Sequence, residues 1–179
     1  MIVRYPEFSL DPELSLGWLM PRHVDWLTAS GVPMTAILRP EPIRLCHGFR
    51  AADARLEIDV NGPLWFAFIE PEDIVFWEPR TGALATWNGR AFALGESMID
   101  NASTYSFDFA LNVFASPLDW LRAERDGIVV VNWERAFDYL RDCPRVAVDK
   151  ALRPLYLRQM KPPRLPEIFI RSERKEAAR

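Results

Sequence analysis

The segment that decides the fold is residues 64–69, LWFAFI, which is followed closely by residues 73–78, DIVFWE. The first segment is apolar without interruption, which is typical of a β-strand that is covered on both faces. The second segment reads as a further strand, and residues 70–72 between them read as a loop. These two strands place a sheet at the centre of the chain.

The sequence on both sides of these strands extends the sheet. Residues 55–60, RLEIDV, alternate polar and apolar side chains with a period of two, the pattern of a half-buried strand. Residues 83–87 and 90–94 flank Asn88-Gly89, a pair that favours a tight hairpin. The spacing of turn signals predicts an antiparallel sheet of about four to six short strands in this region.

Short helices are predicted before this sheet. Asp11-Pro12 combines a capping residue with proline at the first helical position, and Pro21 opens a second helix that ends near Gly31. Ser116-Pro117 gives the same type of start for a helix after the sheet, with Asp119 placed for a capping box.

The C-terminal part alternates strand and helix. Residues 128–131 and 145–148 read as short strands, with an amphipathic helix between them and a last helix that starts near Pro154. This order predicts a βαβ-like segment with a parallel pair of strands. The chain is therefore predicted to be α+β, with one domain over residues 1–170 and a charged, flexible tail over residues 171–179.

Composition excludes several protein classes. The chain has 179 residues, of which 49% are hydrophobic and 12% aromatic, so it can bury a core and is not disordered throughout. Two cysteines cannot supply a disulfide framework. Neither a membrane helix nor a signal peptide is recognisable, and we expect a cytoplasmic protein without membrane contact.

Charge is distributed unevenly along the chain. The formal net charge is −3, from 22 basic and 25 acidic residues. Residues 145–179 contain ten basic and four acidic residues, a net charge of +6, which leaves −9 on the other 144 residues. Such a polarised chain indicates binding to charged macromolecules.

Residue patterns for catalysis are weak. Cys46 and His47 are adjacent on a predicted strand and therefore point to opposite faces, so they do not form a dyad with each other. The acidic group of Glu70, Glu72, Asp73 and Glu78 reads as a solvated loop and a strand rather than as a metal site. A glycine-rich phosphate loop is absent from the sequence. We therefore predict no catalytic residue, no metal and no cofactor.

Two sets of residues are predicted to contact partners. Basic residues with an interleaved tyrosine lie on and after the last helix, a pattern that suits nucleic acid or an acidic partner: Arg153, Tyr156, Arg158, Lys161 and Arg164. A solvated helix face, or a patch that neutralises the acidic remainder of the same protein, is the alternative. Trp77 and Trp87 beside the predicted hairpin form a possible interaction surface, with core packing as the alternative.

Four segments carry a resemblance to known proteins. They are DIVFWEP at residues 73–79, GRAFALGE at residues 89–96, SPLDWLRA at residues 116–123 and GIVVV at residues 127–131. Together they resemble a group of small uncharacterised proteins found near replication and primase-type genes of phages and other mobile elements. The resemblance covers about residues 72–170, consists of structural residues, and implies a genomic setting without a catalytic motif.

These observations favour a non-catalytic accessory protein that binds a macromolecular partner in a phage or mobile-element setting. The acidic body would attract a basic protein partner, and the basic C-terminal segment would contact nucleic acid. The alternative is an enzyme that processes nucleic acid through an unrecognised carboxylate or metal site.

Overall fold

The fold is known from a computed structural model, which describes residues 16–39 and 41–162. The strands in chain order are β1 (Gly17–Trp18), β2 (Arg44–Arg50), β3 (Leu56–Ile58), β4 (Leu64–Ile69), β5 (Ile74–Glu78), β6 (Ala83–Thr86), β7 (Ala93–Leu94), β8 (Leu111–Val113), β9 (Val129–Val130) and β10 (Val146–Val148). The α-helices are α1 (Pro21–Ala29), α2 (Met34–Leu38), α3 (Pro117–Arg122), α4 (Ala136–Leu140) and α5 (Arg153–Gln159). The predicted α+β class with a central antiparallel sheet is confirmed.

The central sheet has the order β1-β2-β4-β5-β6, and β3 pairs with β2 on the same edge as β1. All these pairs are antiparallel. An isolated bridge joins Arg55, just before β3, to Thr86 at the end of β6. The Arg50 side chain on β2 also donates to the Leu84 carbonyl on β6, at 2.8 Å. The sheet therefore curls until its two edges approach each other.

Both faces of this sheet are buried, as the uninterrupted apolar run of β4 predicts. On the outer face, Phe66 and Phe68 pack against helices α1, α2 and α3, together with Leu27 and Leu121 from those helices. The inner face is lined by a second set of buried residues: Cys46, Leu56, Trp65, Ala67, Ile74, Phe76 and Ala85.

The C-terminal layer forms a separate core built from β7 to β10, α4 and α5. β7 pairs antiparallel with β9, and β10 pairs parallel with β8. A parallel bridge between Val113 of β8 and Ile128, just before β9, places β8 between β9 and β10. The two strands of the predicted βαβ-like segment, residues 128–131 and 145–148, both run parallel to β8 and therefore to each other, but β8 lies between them, so they do not pair directly.

The hairpin predicted at Asn88-Gly89 is also wrong. β6 ends at Thr86 and pairs only with β5 among the named strands of the described chain, whereas β7 leaves the sheet and pairs with β9. The helix predicted at Asp11-Pro12 and the tail at residues 171–179 lie outside the described residues.

Helices α1, α3 and α5 begin at or next to the prolines where the sequence predicts helix starts. α1 begins at Pro21 and α3 at Pro117, where the Ser116 hydroxyl accepts a hydrogen bond from the Asp119 N–H at 3.2 Å. α5 begins at Arg153, with Pro154 in its first turn. None of the helices in residues 16–39 and 41–162 has the length and apolar character needed to cross a membrane.

Candidate functional site

The predicted basic residues of the last helix lie mainly on one exposed side of α5. At 100° per residue, Leu157 lies about 40° from Arg153 and about 100° from Arg158, so the three side chains span about 140° of the helix surface, and all three are exposed. Lys161 lies just beyond the helix and is exposed as well. Among the ion pairs of the described chain, none involves Arg153, Arg158 or Lys161. We call these three cations, together with Leu157, the α5 face.

Tyr156 is not part of the α5 face. It lies about 60° from Arg153, on the flank away from Arg158. It is half-buried against the C-terminal core, where burial raises the pKa of its hydroxyl. The aromatic predicted to be interleaved with the cations is therefore a packing residue, and Leu157 is the apolar residue beside them. Arg164, the remaining predicted contact, lies outside the described residues.

The tryptophan surface is corrected in part. Trp77 is only 3% exposed and packs beneath α1, with its ring 5.6 Å from Phe66 and 6.2 Å from Trp26. Its prediction as an interaction residue is wrong, because β5 is covered on both faces. Trp87 is half-buried against the inner core of the sheet.

Asp73 is fully buried and holds the chain where it leaves the sheet. Its Oδ1 accepts from the N–H groups of Ile74 and Asn88, both at 2.8 Å. Its Oδ2 accepts from the N–H groups of Arg90 at 2.6 Å and Ala91 at 3.1 Å. Four backbone donors thus satisfy one carboxylate, which makes Asp73 a structural anchor rather than a reactive acid.

Glu78 has a similar structural role at the other end of β5. Its carboxylate accepts from the N–H groups of Arg80 at 3.1 Å and Thr81 at 3.0 Å, and from the Thr81 hydroxyl. These hydrogen bonds fix the turn that leads to β6. The carboxylate therefore belongs to the turn and does not face an open site.

Glu70 and Arg125 are charged groups close enough to influence each other's pKa where the sheet, α3 and the C-terminal layer join. Glu70 accepts from the Gly95 N–H at 2.9 Å. Burial raises the pKa of Glu70 to about 7, and the nearby Glu96 carboxylate adds to this effect, whereas Gly95 and Arg125 oppose it. Burial lowers the pKa of Arg125 to about 10.

The Arg125 guanidinium is incompletely satisfied. Its Nη1 donates to the Glu41 carbonyl at 3.1 Å, while its buried Nε and Nη2 have no hydrogen-bond partner among the described residues. Its guanidinium carbon lies 5.7 Å from the Phe68 ring centroid and 5.5 Å from that of Trp120. The cation therefore packs near two aromatic rings that contact each other, at a junction rather than in a solvent-filled cleft.

The described residues do not assemble a metal or thiol site. Within residues 16–39 and 41–162, no three His, Cys, Asp or Glu side chains converge to hold a metal ion. Cys46 is buried and His47 is exposed, as expected for neighbours on a strand. His23 is buried and bonded instead to the Met20 N–H and the Arg22 side chain.

A second exposed surface, at residues 105–109, was not found from the sequence. Phe107 is 93% exposed and Phe109 is 65% exposed. Phe107 and Asp108 both have positive φ, at +51° and +64°, a backbone that costs on the order of 1 kcal/mol or more per residue. We call residues 105–109 the aromatic loop.

Arg145 fixes the shape of the aromatic loop. Its guanidinium donates to the Tyr105 carbonyl at 2.8 Å, the Phe109 carbonyl at 3.0 Å and the Asp108 carboxylate at 2.8 Å. Three hydrogen bonds from one planar group thus stabilise the strained backbone that holds Phe107 in solvent.

The surroundings of the aromatic loop are acidic. A cleft of about 170 Å³ beside the loop is lined by Phe109, Met98 and Asp126, among others. The Asp108 side chain is 94% exposed. Burial raises the pKa of Tyr105, and the nearby Asp100 carboxylate adds to this effect. Apolar and negatively charged groups therefore share this surface.

Comparisons with protein-family models, with curated proteins and with solved structures found no match to this chain. The α5 face and the aromatic loop are therefore the two features that bear on function. The α5 face was visible in the sequence as a concentration of cations. The aromatic loop was not, because its exposure depends on positive φ angles and on Arg145, which lies 36 residues after Phe109.

Proposed function

We propose that the protein is a non-catalytic binding protein whose α5 face contacts the phosphate backbone of nucleic acid. The observation that carries the proposal is the exposure of three cations on this face: Arg153, Arg158 and Lys161 flank Leu157, and no ion pair of the described chain involves them. Lysine and arginine side chains that neutralise phosphates supply sequence-independent affinity.

The spacing of the cations suits a phosphate backbone. Arg153 and Arg158 are about 7.5 Å apart along the helix axis, at about 1.5 Å per residue. One strand of B-DNA carries a phosphate about every 3.4 Å along its axis. Both arginine side chains are long enough to reach separate phosphates of one strand, and Lys161 extends the contact.

The negative charge of the rest of the chain favours contact with nucleic acid at the C-terminal segment alone. Residues 1–144 carry a net charge of −9, which repels a polyanion and leaves the C-terminal segment as the favourable approach. The same negative charge favours a basic protein partner. The resemblance noted above favours a replication setting in a phage or mobile element for such an accessory protein.

Salt dependence tests this proposal quantitatively. Three phosphate contacts predict a slope of log Kobs against log salt of about −2.7 for duplex DNA and about −2.1 for single strands. The measurement is fluorescence anisotropy with labelled 30-nucleotide single-stranded and duplex DNA, between 50 and 200 mM NaCl. A weaker affinity at higher salt, about 40-fold for the duplex over this range, is the expected result.

A matched pair of variants locates the contact. Replacing Arg153, Arg158 and Lys161 by Gln removes three positive charges from the α5 face and should abolish measurable binding at 50 mM NaCl. The control replaces Arg39, Arg80 and Arg90, three exposed arginines elsewhere, by Gln, with the same change in net charge. Equal weakening in both triple variants, or no binding by the parent protein at 50 mM NaCl, would refute the proposal.

A further inference from the structure

The aromatic loop presents an apolar tip in a fixed shape. Phe107 is the most exposed large hydrophobic residue of the described chain, at 93%, and Phe109 beside it is 65% exposed. The three hydrogen bonds from Arg145 fix the loop on both sides of Phe107, at the Tyr105 and Phe109 carbonyls and the Asp108 carboxylate. A rigid, exposed aromatic side chain is typical of a protein–protein contact, because little conformational entropy is lost when it docks.

The charges around this tip indicate the chemistry of its partner. Asp108 and Asp126 border Phe107 and Phe109, and Asp100 lies near Tyr105. Arg145 is the nearby cation, and its guanidinium is already bonded within the loop. The surface that fits this loop must therefore offer an apolar contact surrounded by positive charge.

The α5 face has that composition. Leu157 is 54% exposed, and it lies between Arg153 and Arg158 with Lys161 just beyond. We propose that two copies of this chain associate by docking the aromatic loop of one copy onto the α5 face of the other. Phe107 would cover Leu157, and Asp108 would lie against the cations of the α5 face.

Both surfaces belong to the C-terminal layer. Tyr105 of the loop and Tyr156 of α5 both lie near Cys143, within the same hydrophobic core. One hydrophobic core thus supports both a surface and its complement, so a single copy offers both sides of the contact.

The association regulates the site proposed above. A copy whose α5 face is covered by a neighbour's loop has no free cations for a phosphate backbone, so self-association and nucleic-acid binding compete. The association does not depend on the proposed function, but this competition rests on it.

Sedimentation velocity of the protein alone, from 10 to 300 µM at 50 mM NaCl, tests the association. We expect the weight-average sedimentation coefficient to rise with concentration, and the rise to disappear at 500 mM NaCl because opposite charges face each other. An association that strengthens with salt would contradict the charge pairing. A protein that remains monomeric at 300 µM would overturn the proposal.

Variants identify the two surfaces. Phe107→Ser and Arg158→Glu should each lower the association constant at least tenfold, whereas Val60→Ser, at a residue that is 84% exposed, should leave it unchanged. The double variant should lose less than the product of the two single losses, because both residues act at one contact. Losses that multiply would place the residues in separate contacts and refute the pairing.

Nucleic acid separates this proposal from the proposed function. If both are right, adding a saturating 30-nucleotide DNA returns the associated protein to single copies bound to DNA. If only the association exists, the sedimentation profile does not change when DNA is added. If only the nucleic-acid contact exists, the protein sediments as a monomer at every concentration without DNA.

Discussion

The central sheet and the C-terminal layer are built in contrasting ways. In the sheet, β4, β5 and β6 are neighbours in both sequence and space. In the layer, β7 pairs with β9 and β10 pairs with β8, so each strand finds a partner more than 30 residues away. Local turns therefore suffice to order the sheet, whereas the layer needs contacts that direct the chain away from its nearest neighbours.

Polar contacts determine the path of the chain at three places. Asp73 holds residues 88–91 as the chain leaves the sheet. Glu70 and Gly95 join the sheet to the layer, and Arg145 shapes the aromatic loop before β8. Four variants each disturb one of these points, with the largest expected effect at the fully buried Asp73 and the smallest at the exposed Arg145–Asp108 pair.

Asp73→Ala should have the largest effect. It leaves four backbone N–H groups without their acceptor, and we expect the free energy of unfolding to fall by about 4 kcal/mol. Urea denaturation measures this change. Glu72→Ala, at the exposed neighbouring carboxylate, should change stability by less than about 0.5 kcal/mol. A loss below about 1 kcal/mol for Asp73→Ala would show that other contacts fix the exit from the sheet.

Gly95→Ala should destabilise by about 3 kcal/mol. Gly95 has φ of +71°, and an added Cβ would lie 2.5 Å from the Gly127 carbonyl oxygen in the layer. Gly82 in the β5–β6 turn has a similar φ of +75°, but its added Cβ would have no atom within 4 Å. Gly82→Ala therefore reports the backbone cost alone, about 1 kcal/mol. Equal losses in the two variants would mean that the close approach at Gly95 relaxes without cost.

The contrast between the two regions also explains which elements could be predicted. β4 and β5 are long, apolar and flanked by turn signals, so their positions follow from residues 64–69 and 73–78 alone. β8 has only three residues, and nothing in its sequence shows that it separates the segments before and after α4. The pair Asn88-Gly89 favours a hairpin locally, but Asp73, 15 residues earlier, binds the N–H of Asn88 and redirects the chain.

The candidate surfaces follow the same rule. Exposure of Arg153 and Arg158 could be predicted because charged residues are rarely buried without a partner. Tyr156 could not be placed, since a tyrosine packs or lies exposed according to the tertiary contacts of its helix face. Phe107 is hydrophobic and by composition belongs in the core, and only its positive φ and the hydrogen bonds of Arg145 explain why it is exposed.

Glu70→Gln should change how stability depends on pH. Glu70 titrates near 4.5 when unfolded and near 7 when folded, so the folded state favours the neutral acid. Its contribution is fully present below pH 4.5, declines as pH rises to about 7, and is lost above that value. Relative to Glu70→Gln, the parent protein should lose about 3 kcal/mol across this range.

The glutamine variant isolates this titration. Its carbonyl can still accept from the Gly95 N–H, and every other titrating group is common to both proteins. The measurement is the free energy of unfolding in urea at pH 4.5, 6 and 7.5. Parallel pH profiles for the two proteins would show that Glu70 does not titrate in this window.

Arg145→Lys should have the smallest effect on global stability and a clear local one. Arg145 makes three hydrogen bonds and Asp73 makes four, but the side chains of the Arg145–Asp108 pair are 42% and 94% exposed. Water can replace exposed hydrogen bonds, so we expect the free energy of unfolding to fall by less than about 1 kcal/mol.

Lysine keeps the charge but cannot bond three acceptors from one plane, so the positive φ angles of Phe107 and Asp108 lose their support. Chymotrypsin should then cut after Phe107 or Phe109 several times faster than in the parent protein. Arg141→Lys changes an exposed pair with Asp142 and should leave the cleavage rate unchanged. If chymotrypsin does not cleave the Arg145→Lys variant faster than the parent protein, the hydrogen bonds of Arg145 do not hold the aromatic loop in shape. Arg145 would then differ from Asp73 in structural role as well as in burial.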